Sequence, residues 1–254
     1  MNTFEWCGYN WLCKMEGYRI IHKKQPWQWY SLDTIKIDKN NTLELFIKKN
    51  PKEIKFDGEI FNPPYEVSTM RTKEDFSYGT FSAEIMVPKG RNLSASFWLT
   101  GSGNWPPEID IMEGFLGNSG DWFKCFQKHF PWIRLGWTTT NNVVYRNEQM
   151  NQTHIGSENV PYTKQTKDPS ENWIEYKCVW KPDRITFYAN NKVVRDVTGY
   201  ICQQLTKNIE NPEKGFKMNA IFNAWTENPD QHTIDMIQPM LVRNFKYTPY
   251  EKEQ

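Results

Sequence analysis

The chain has 254 residues, a formal net charge of +1 and no basic stripe, so nucleic acid is not an expected partner. No apolar run approaches the roughly 20 residues that a membrane helix needs, so no membrane partner is expected either. Aromatic residues make up 15% of the chain and include 12 Trp, more than a core of one domain readily accounts for, so some of these rings are expected to face a ligand.

The first 30 residues are rich in Trp, Tyr and Lys and weakly patterned. Trp6, Trp11, Trp27 and Trp29 either line a cleft or form an arm packed across the body of the protein. The opening residues Met1-Asn2-Thr3-Phe4-Glu5-Trp6 show no basic segment followed by an apolar one, so no signal peptide is read. The five cysteines, Cys7, Cys13, Cys125, Cys178 and Cys202, have no metal-ligand spacing. Cys7 and Cys13 are either bridged or reduced.

Regular alternation starts at Thr34-Ile35-Lys36-Ile37-Asp38. A turn signal, Lys39-Asn40-Asn41, and a second alternating run, Thr42-Leu43-Glu44-Leu45-Phe46-Ile47, complete a hairpin. Asn62-Pro63-Pro64 breaks the chain before another strand-like run, and Arg71 just beyond it reads as a surface residue. In Ser94-Ala95-Ser96-Phe97-Trp98-Leu99-Thr100 the apolar set Ala95, Phe97 and Leu99 shares one face and belongs to the core. Trp98 then faces a cleft. Trp105 sits in a loop immediately ahead of the next strand.

That strand is Pro106-Pro107-Glu108-Ile109-Asp110-Ile111-Met112-Glu113-Gly114. Glu108 and Asp110 alternate with Ile109 and Ile111, which is strand periodicity with one apolar and one acidic face. Glu113 lies an odd number of positions after Glu108, so a regular strand would turn it into the core with the isoleucines. A lone buried carboxylate costs several kcal/mol. A β-bulge near Met112 avoids that cost by returning Glu113 to the side of the other two acids. Three acids on one strand face repel one another, and glycoside cleavage supplies a reason to hold them together. It needs two carboxyl groups, one nucleophile and one acid/base, at a separation of about 5–5.5 Å in retaining enzymes. The third can hold a shared proton.

The region from 114 to 149 is crowded with aromatic residues around His129 and reads as a cleft-lining strand plus an insertion, with Trp137 as a candidate ring for a ligand. Residues 147–167 are polar and read as loop. Alternation resumes at 173–180, where Ile174, Tyr176, Cys178 and Trp180 share a face, and again at 185–189, followed by the tight-turn pair Asn190-Asn191. The stretch 200–214 is the best candidate for a short helix. Met218-Asn219-Ala220-Ile221-Phe222-Asn223-Ala224-Trp225 alternates, placing Asn219, Asn223 and Trp225 on one polar and aromatic face. Many short strands with almost no helix make a β-sandwich, and residues 1–254 read as a single domain.

At its acidic strand the chain resembles glycoside hydrolase family 16, whose signature is Glu-x-Asp-x-Glu, or Glu-x-Asp-x-x-Glu in members with a bulge. Glu108-Ile109-Asp110-Ile111-Met112-Glu113 matches the bulged form. Tyr78-Gly79-Thr80-Phe81 with Val87-Pro88-Lys89-Gly90, Ser96-Phe97-Trp98-Leu99, Asn223-Ala224-Trp225 and the run 240–247 are similar to further strands of the family. Arg71 falls where members often have polar cleft residues, the alternative to a surface residue there, whereas Ser82-Ala83-Glu84-Ile85 departs from the family, because members commonly carry an Arg after the Glu. The resemblance spans about Thr34 to Tyr247. It implies an all-β, concanavalin A-like jelly-roll sandwich with an open cleft on its concave sheet. Glu108 would be the nucleophile, Asp110 the helper and Glu113 the acid/base of a retaining double displacement. Trp98, Trp105, Trp137, Asn223 and Trp225 would bind substrate.

An open cleft implies an endo-acting enzyme on a polysaccharide, with β-1,3- or mixed β-1,3/1,4-glucan as the leading substrate; a monomer is expected. Agar, carrageenan, porphyran or host-glycan galactan, transglycosylation, and a carbohydrate-binding protein with a dead site are the alternatives. The chemistry needs no cofactor or catalytic metal. Members often bind a structural calcium, for which no ligand loop is assigned. The expected place of action is outside the cell, in a periplasm or on the cell surface, with a leader that this sequence does not show; a cytoplasmic place is the alternative.

Overall fold

The computed structural model describes residues 3–13, 20–91, 93–102, 105–116, 137–146, 152–161, 168–206, 216–226 and 235–251. In chain order the strands are β1 (Thr3–Trp6), β2 (Tyr9–Leu12), β3 (Ile21–His22), β4 (Gln25–Tyr30), β5 (Ile35–Ile37), β6 (Leu43–Leu45), β7 (Ile47–Lys49), β8 (Ile54–Phe56), β9 (Glu59–Phe61), β10 (Tyr65–Thr72), β11 (Gly79–Met86), β12 (Lys89–Arg91), β13 (Leu93–Gly101), β14 (Glu108–Leu116), β15 (Trp137–Arg146), β16 (Gln152–Pro161), β17 (Ile174–Lys181), β18 (Arg184–Ala189), β19 (Lys192–Thr198), β20 (Met218–Thr226), β21 (Asp235–Gln238) and β22 (Met240–Pro249). One short helix, α1 (Tyr200–Thr206), occupies the start of the stretch expected to be helical; residues 207–215 lie outside the described residues. No described helix is long and apolar enough to cross a membrane.

Two sheets make the sandwich expected from the alternation. The larger runs β1-β2-β10-β20-β13-β14-β15-β16, with β4 and β7 paired to β10 and β3 paired to β4. The smaller runs β19-β18-β17-β11-β22-β6-β5. The opening hairpin is present as β5 and β6, and its turn places Asn41 at φ 61, a left-handed conformation that Asn tolerates. Residues 147–167 are not all loop. β16 pairs along β15 from Arg146↔Gln152 to Thr138↔Pro161. Its polar composition hides it from a hydrophobic-pattern reading, because backbone pairing rather than burial of an apolar stripe places it.

The core follows the period-2 pattern. Phe81, Ala83 and Ile85 of β11 and Ile174, Tyr176, Cys178 and Trp180 of β17 point inward, and all are buried. Opposite them stand Ala95, Phe97 and Leu99 of β13, Ile109, Ile111 and Met112 of β14, and Ala220, Phe222 and Ala224 of β20. The Phe97 and Phe222 rings stack with centroids 4.5 Å apart, and Phe245 of β22 meets Phe222 edge-on at 5.6 Å. Trp6 and Trp11 join this aromatic cluster and are only 1% and 0% exposed. The cleft reading for these two is therefore wrong, and the packed-arm reading is right. Trp29 is also buried, in a small separate cluster with Ile21 and Ile54. Trp27 is half-buried, and its indole N–H donates to the Thr226 carbonyl at 3.0 Å. Cys7, Cys13, Cys178 and Cys202 carry reduced thiols, so Cys7 and Cys13 are not bridged; Cys125 lies outside the described residues.

Candidate active site

The outer face of the larger sheet carries the acids, and strand register shows how. Thr100 of β13 stands opposite Glu108, Trp98 opposite Asp110, and Ser96 opposite Glu113. Between Trp98 and Phe97 the partner advances from Asp110 to Met112, so Ile111 is the extra residue of a β-bulge. On the other edge of β14, Asp110 pairs with Asn142 and Glu113 with Thr140, leaving Ile111 and Met112 opposite Asn141. The bulge thus spans Ile111 and Met112, where the sequence reading expected it. Its effect is the expected one: Ile111 and Met112 are both buried in the core, at 1% and 0% exposure, and Glu113 comes out on the acid face.

The bulge leaves backbone groups that polar side chains take up. Asn141 Nδ2 donates to the Ile111 carbonyl at 2.5 Å. Asn142 Oδ1 accepts from the Val143 N–H at 3.0 Å. Trp105 Nε1 donates to Glu108 Oε2 at 2.8 Å. Trp98 Nε1 donates to Asn223 Oδ1 at 2.9 Å, and Ser96 Oγ donates to the same oxygen at 3.1 Å.

The three carboxyls perturb one another. Burial pushes Asp110 well above the usual carboxylate range, and the charges of Glu108 and Glu113 and a hydrogen bond with Glu108 add to the effect. Glu113 is raised to about 7, first by burial and then by the charge of Glu108. Glu108 is also raised by burial, but hydrogen bonds from Trp105 and Asp110 act in the opposite direction. Of the three, Glu108 is the one whose upward shift by burial is opposed by hydrogen bonds. Two carboxyls whose surroundings act on them differently, on one face, are what acid-assisted displacement requires.

A family model, Glycosyl hydrolases family 16, matches residues 22–238. The chain belongs to glycoside hydrolase family 16. An endo-β-1,3-glucanase from Pyrococcus furiosus is 22% identical at a TM-score of 0.57, with 98% of this chain and 99% of that one covered. Porphyranase B from Zobellia galactanivorans is 16% identical at a TM-score of 0.61, covering 91% of this chain and 82% of that one. A galactan endo-β-1,3-galactanase from Flammulina velutipes is 40% identical over 47 residues, which is 18% of this chain and 18% of that protein's length. The sandwich is thus the jelly roll of a glycoside hydrolase.

Around the acids of this family 16 chain, the expected ligand-facing residues separate into groups. Trp98 and Asn223 lie on the acid face, half-buried and bonded to each other. Trp225 shares their face one step along β20, opposite Ser94, and is half-buried. Trp105 is 40% exposed beside Glu108, so its ring is available to a ligand while its N–H holds the carboxylate. The Trp137 backbone pairs with Leu116, but its side chain, like the aromatic residues 122–136 and His129, lies outside the described residues. Asn219 is on the same face but buried, and its Nδ2 is tied to the Glu74 carbonyl and Asp75 Oδ1, both at 3.0 Å. Its role is to fasten β20 to the turn after β10. Glu84, in the segment that departs from the family pattern, lies on the smaller sheet and pairs with Arg243 at 2.5 Å.

Three features escape a reading of the sequence. Arg71 is not a simple surface residue: it lies in the cross-strand row of Ile221, Trp98 and Asp110, half-buried, with Nε and Nη1 buried and lacking hydrogen-bond partners. The run Thr139, Thr140, Asn141 and Asn142 is at most 5% exposed. Four consecutive polar residues in a strand are the signal the sequence offered. Arg195 of β19 is the third. Its Nη1 donates to the Asn141 carbonyl at 2.7 Å across the sandwich. Among the described residues no group of His, Cys, Asp and Glu is arranged to hold a metal ion.

Proposed function

We propose that this chain is a retaining endo-β-glycanase in which Glu108 is the nucleophile, Asp110 the proton-holding helper and Glu113 the acid/base. The observation that carries this reading is the bulge at Ile111, which sets Glu113 on the same face as Glu108 and couples the two. In the first step an oxygen of Glu108 bonds to the anomeric carbon as the glycosidic C–O bond breaks, and Glu113 gives its proton to the departing oxygen. Water then attacks the same carbon, Glu113 takes a proton from it, and the bond to Glu108 breaks. Asp110, protonated and bonded to Glu108, neutralises the crowding of charge while Glu108 enters and leaves the bond. Nucleophile, acid and base are all carboxyl groups of this chain, so the proposed reaction draws on no cofactor.

Trp98, Trp105 and Trp225 offer ring faces to the apolar C–H faces of successive sugars, and Asn223 meets hydroxyls. The leading substrate is a β-1,3- or mixed β-1,3/1,4-glucan, the class named for several fold neighbours. The local match to a galactan endo-β-1,3-galactanase supports a β-galactan as the second reading. A polysaccharide does not cross a membrane unaided, so the proposed enzyme works outside the cytoplasm.

A panel of neutral and sulfated polysaccharides, read by reducing ends, identifies the substrate. Proton NMR of the first product then tests the mechanism: β-anomer at the start is expected. Initial α-anomer would reject the retaining assignment, and wild-type protein that releases no sugar from any glycan would return the chain to the carbohydrate-binding alternative.

A further inference from the structure

The bulge that creates the acid face stands in a place where two registers compete. With Ile111 accommodated as an extra residue, Glu113 faces the cleft. Without it, β14 would continue as a regular ladder, and every residue after Ile111 would change sides, which is the consequence of a one-residue slip in any strand. Met112 would leave the core and Glu113 would enter it. Hydrophobic burial favours the bulged form, because Ile111 and Met112 are both inside. Burial alone does not set the direction of Glu113 finely, however, since bulged backbone has lost part of its ladder.

Specific contacts supply that precision. The Ile111 carbonyl accepts from Asn141 Nδ2 at 2.5 Å, and the Asn141 carbonyl accepts from Arg195 Nη1 at 2.7 Å. Asn141 lies where β15 is irregular on both edges: its register against β14 skips between Asp110 and Glu113, and against β16 it skips between Asn141 and Val143. Arg195 itself follows a bulge, because the pairing of β18 with β19 shifts between Phe187 and Tyr188. That places Arg195 beside Phe187 on the inward face, where it is 9% exposed. An arginine among core residues carries a desolvation cost that an apolar side chain there would not. Its guanidinium reaches from one sheet of the sandwich to the other and ends on the strand beside the acids.

We propose that Asn141 and Arg195 are positioning residues, a relay from the smaller sheet through β15 to the Ile111 carbonyl that fixes the direction of Glu113. The inference rests on the assignment of Glu113 as acid/base. Neither residue touches substrate. Each acts through the backbone of β14, and a misplacement of about 1 Å in a reacting group can cost on the order of a hundredfold in rate.

The test compares Asn141→Leu with Asn141→Gln and Arg195→Met with Arg195→Lys, each alone and on a Glu113→Gln background. The substrate is the polysaccharide that wild-type enzyme cleaves fastest in the panel above. Asn141→Leu and Arg195→Met should lower kcat by about tenfold to a hundredfold with KM nearly unchanged, and the Gln and Lys variants should recover most of the loss. On the Glu113→Gln background the same substitutions should cost little more, as expected for residues acting through one group. If Asn141→Leu does not fold, the Arg195 pair carries the comparison. An unchanged kcat in a folded variant, a loss confined to KM, or an equal loss on the Glu113→Gln background would overturn the relay. A crystal structure of Asn141→Leu decides independently of turnover. Glu113 turned from its wild-type direction supports the relay, and Glu113 unmoved refutes it, even should the wild-type protein prove inactive and the enzyme assignment itself fail.

Discussion

The two faces of the larger sheet share their strands and little else. On the inner face, Phe97, Ile109, Ile111, Met112 and Phe222 are buried in one apolar cluster. On the outer face, Glu108, Asp110, Glu113, Trp98 and Asn223 form a polar cluster in which each acid disturbs the others. Both faces bury side chains, the outer one only in part, and for opposite ends. Burial inside removes apolar area and stabilises the fold. Burial outside raises carboxyl pKa values, which costs stability and prepares a proton for transfer. The inner face should therefore answer to substitution in stability, and the outer face in activity.

The largest separation is expected at Glu108. Glu108→Gln keeps the shape and loses the nucleophile, so turnover should fall to about a thousandth or less while the melting temperature holds. Retention of even about a tenth of wild-type turnover would remove Glu108 from its role. The inner face supplies the reverse case. Phe222→Ala deletes a ring stacked on Phe97 and should cost about 3–5 kcal/mol of stability, read by denaturant unfolding. Assayed well below its melting point, the variant should keep kcat/KM close to wild type. A selective loss of activity would show that the two faces are not separable.

Glu113 makes the cost of the outer face measurable. Its pKa rises from 4.5 to about 7 in the fold, so between those values the folded protein holds a proton that the unfolded chain has released. The associated stability is fully present below pH 4.5 and is lost as pH rises through about 7. Glu113→Gln cannot titrate. Relative to wild type it should gain about 3 kcal/mol at pH 8, at about 1.4 kcal/mol per pH unit of displacement, and nothing at pH 4. Melting curves across that range check the difference, and a gain that grows toward acid pH would contradict the burial of this carboxyl. The smallest effect is expected at Trp225. Trp225→Ala should lower kcat/KM on the polysaccharide about tenfold, equivalent to about 1.4 kcal/mol, with the fold intact. Normal activity, or a lost activity that follows a large drop in melting temperature, would reassign Trp225 to the framework.

Much of this division was legible along the chain because strand alternation is a local property. The inward sets of β11, β13, β17 and β20 follow from side chains pointing to opposite faces every second residue. The same rule exposed the anomaly at Glu113 and required a bulge to resolve it. What alternation could not supply was whatever depends on a distant partner. It did not separate Trp6 and Trp11, which close the core against Phe222 and Phe245, from Trp98 and Trp225, which lie half-buried on the face of the acids, because an indole suits either place. It missed β16, whose position comes from backbone pairing with β15. By itself, then, the sequence determined the all-β class, the inward and outward sets of each long strand, and the three acids, all of which depend on neighbours one to five residues apart. Only the tertiary structure decided which tryptophans were core and that an arginine 54 positions away from Asn141 holds the strand beside the acids, because hydrogen bonds and ring packing across a sandwich join residues whose separation in the chain carries no periodic signal.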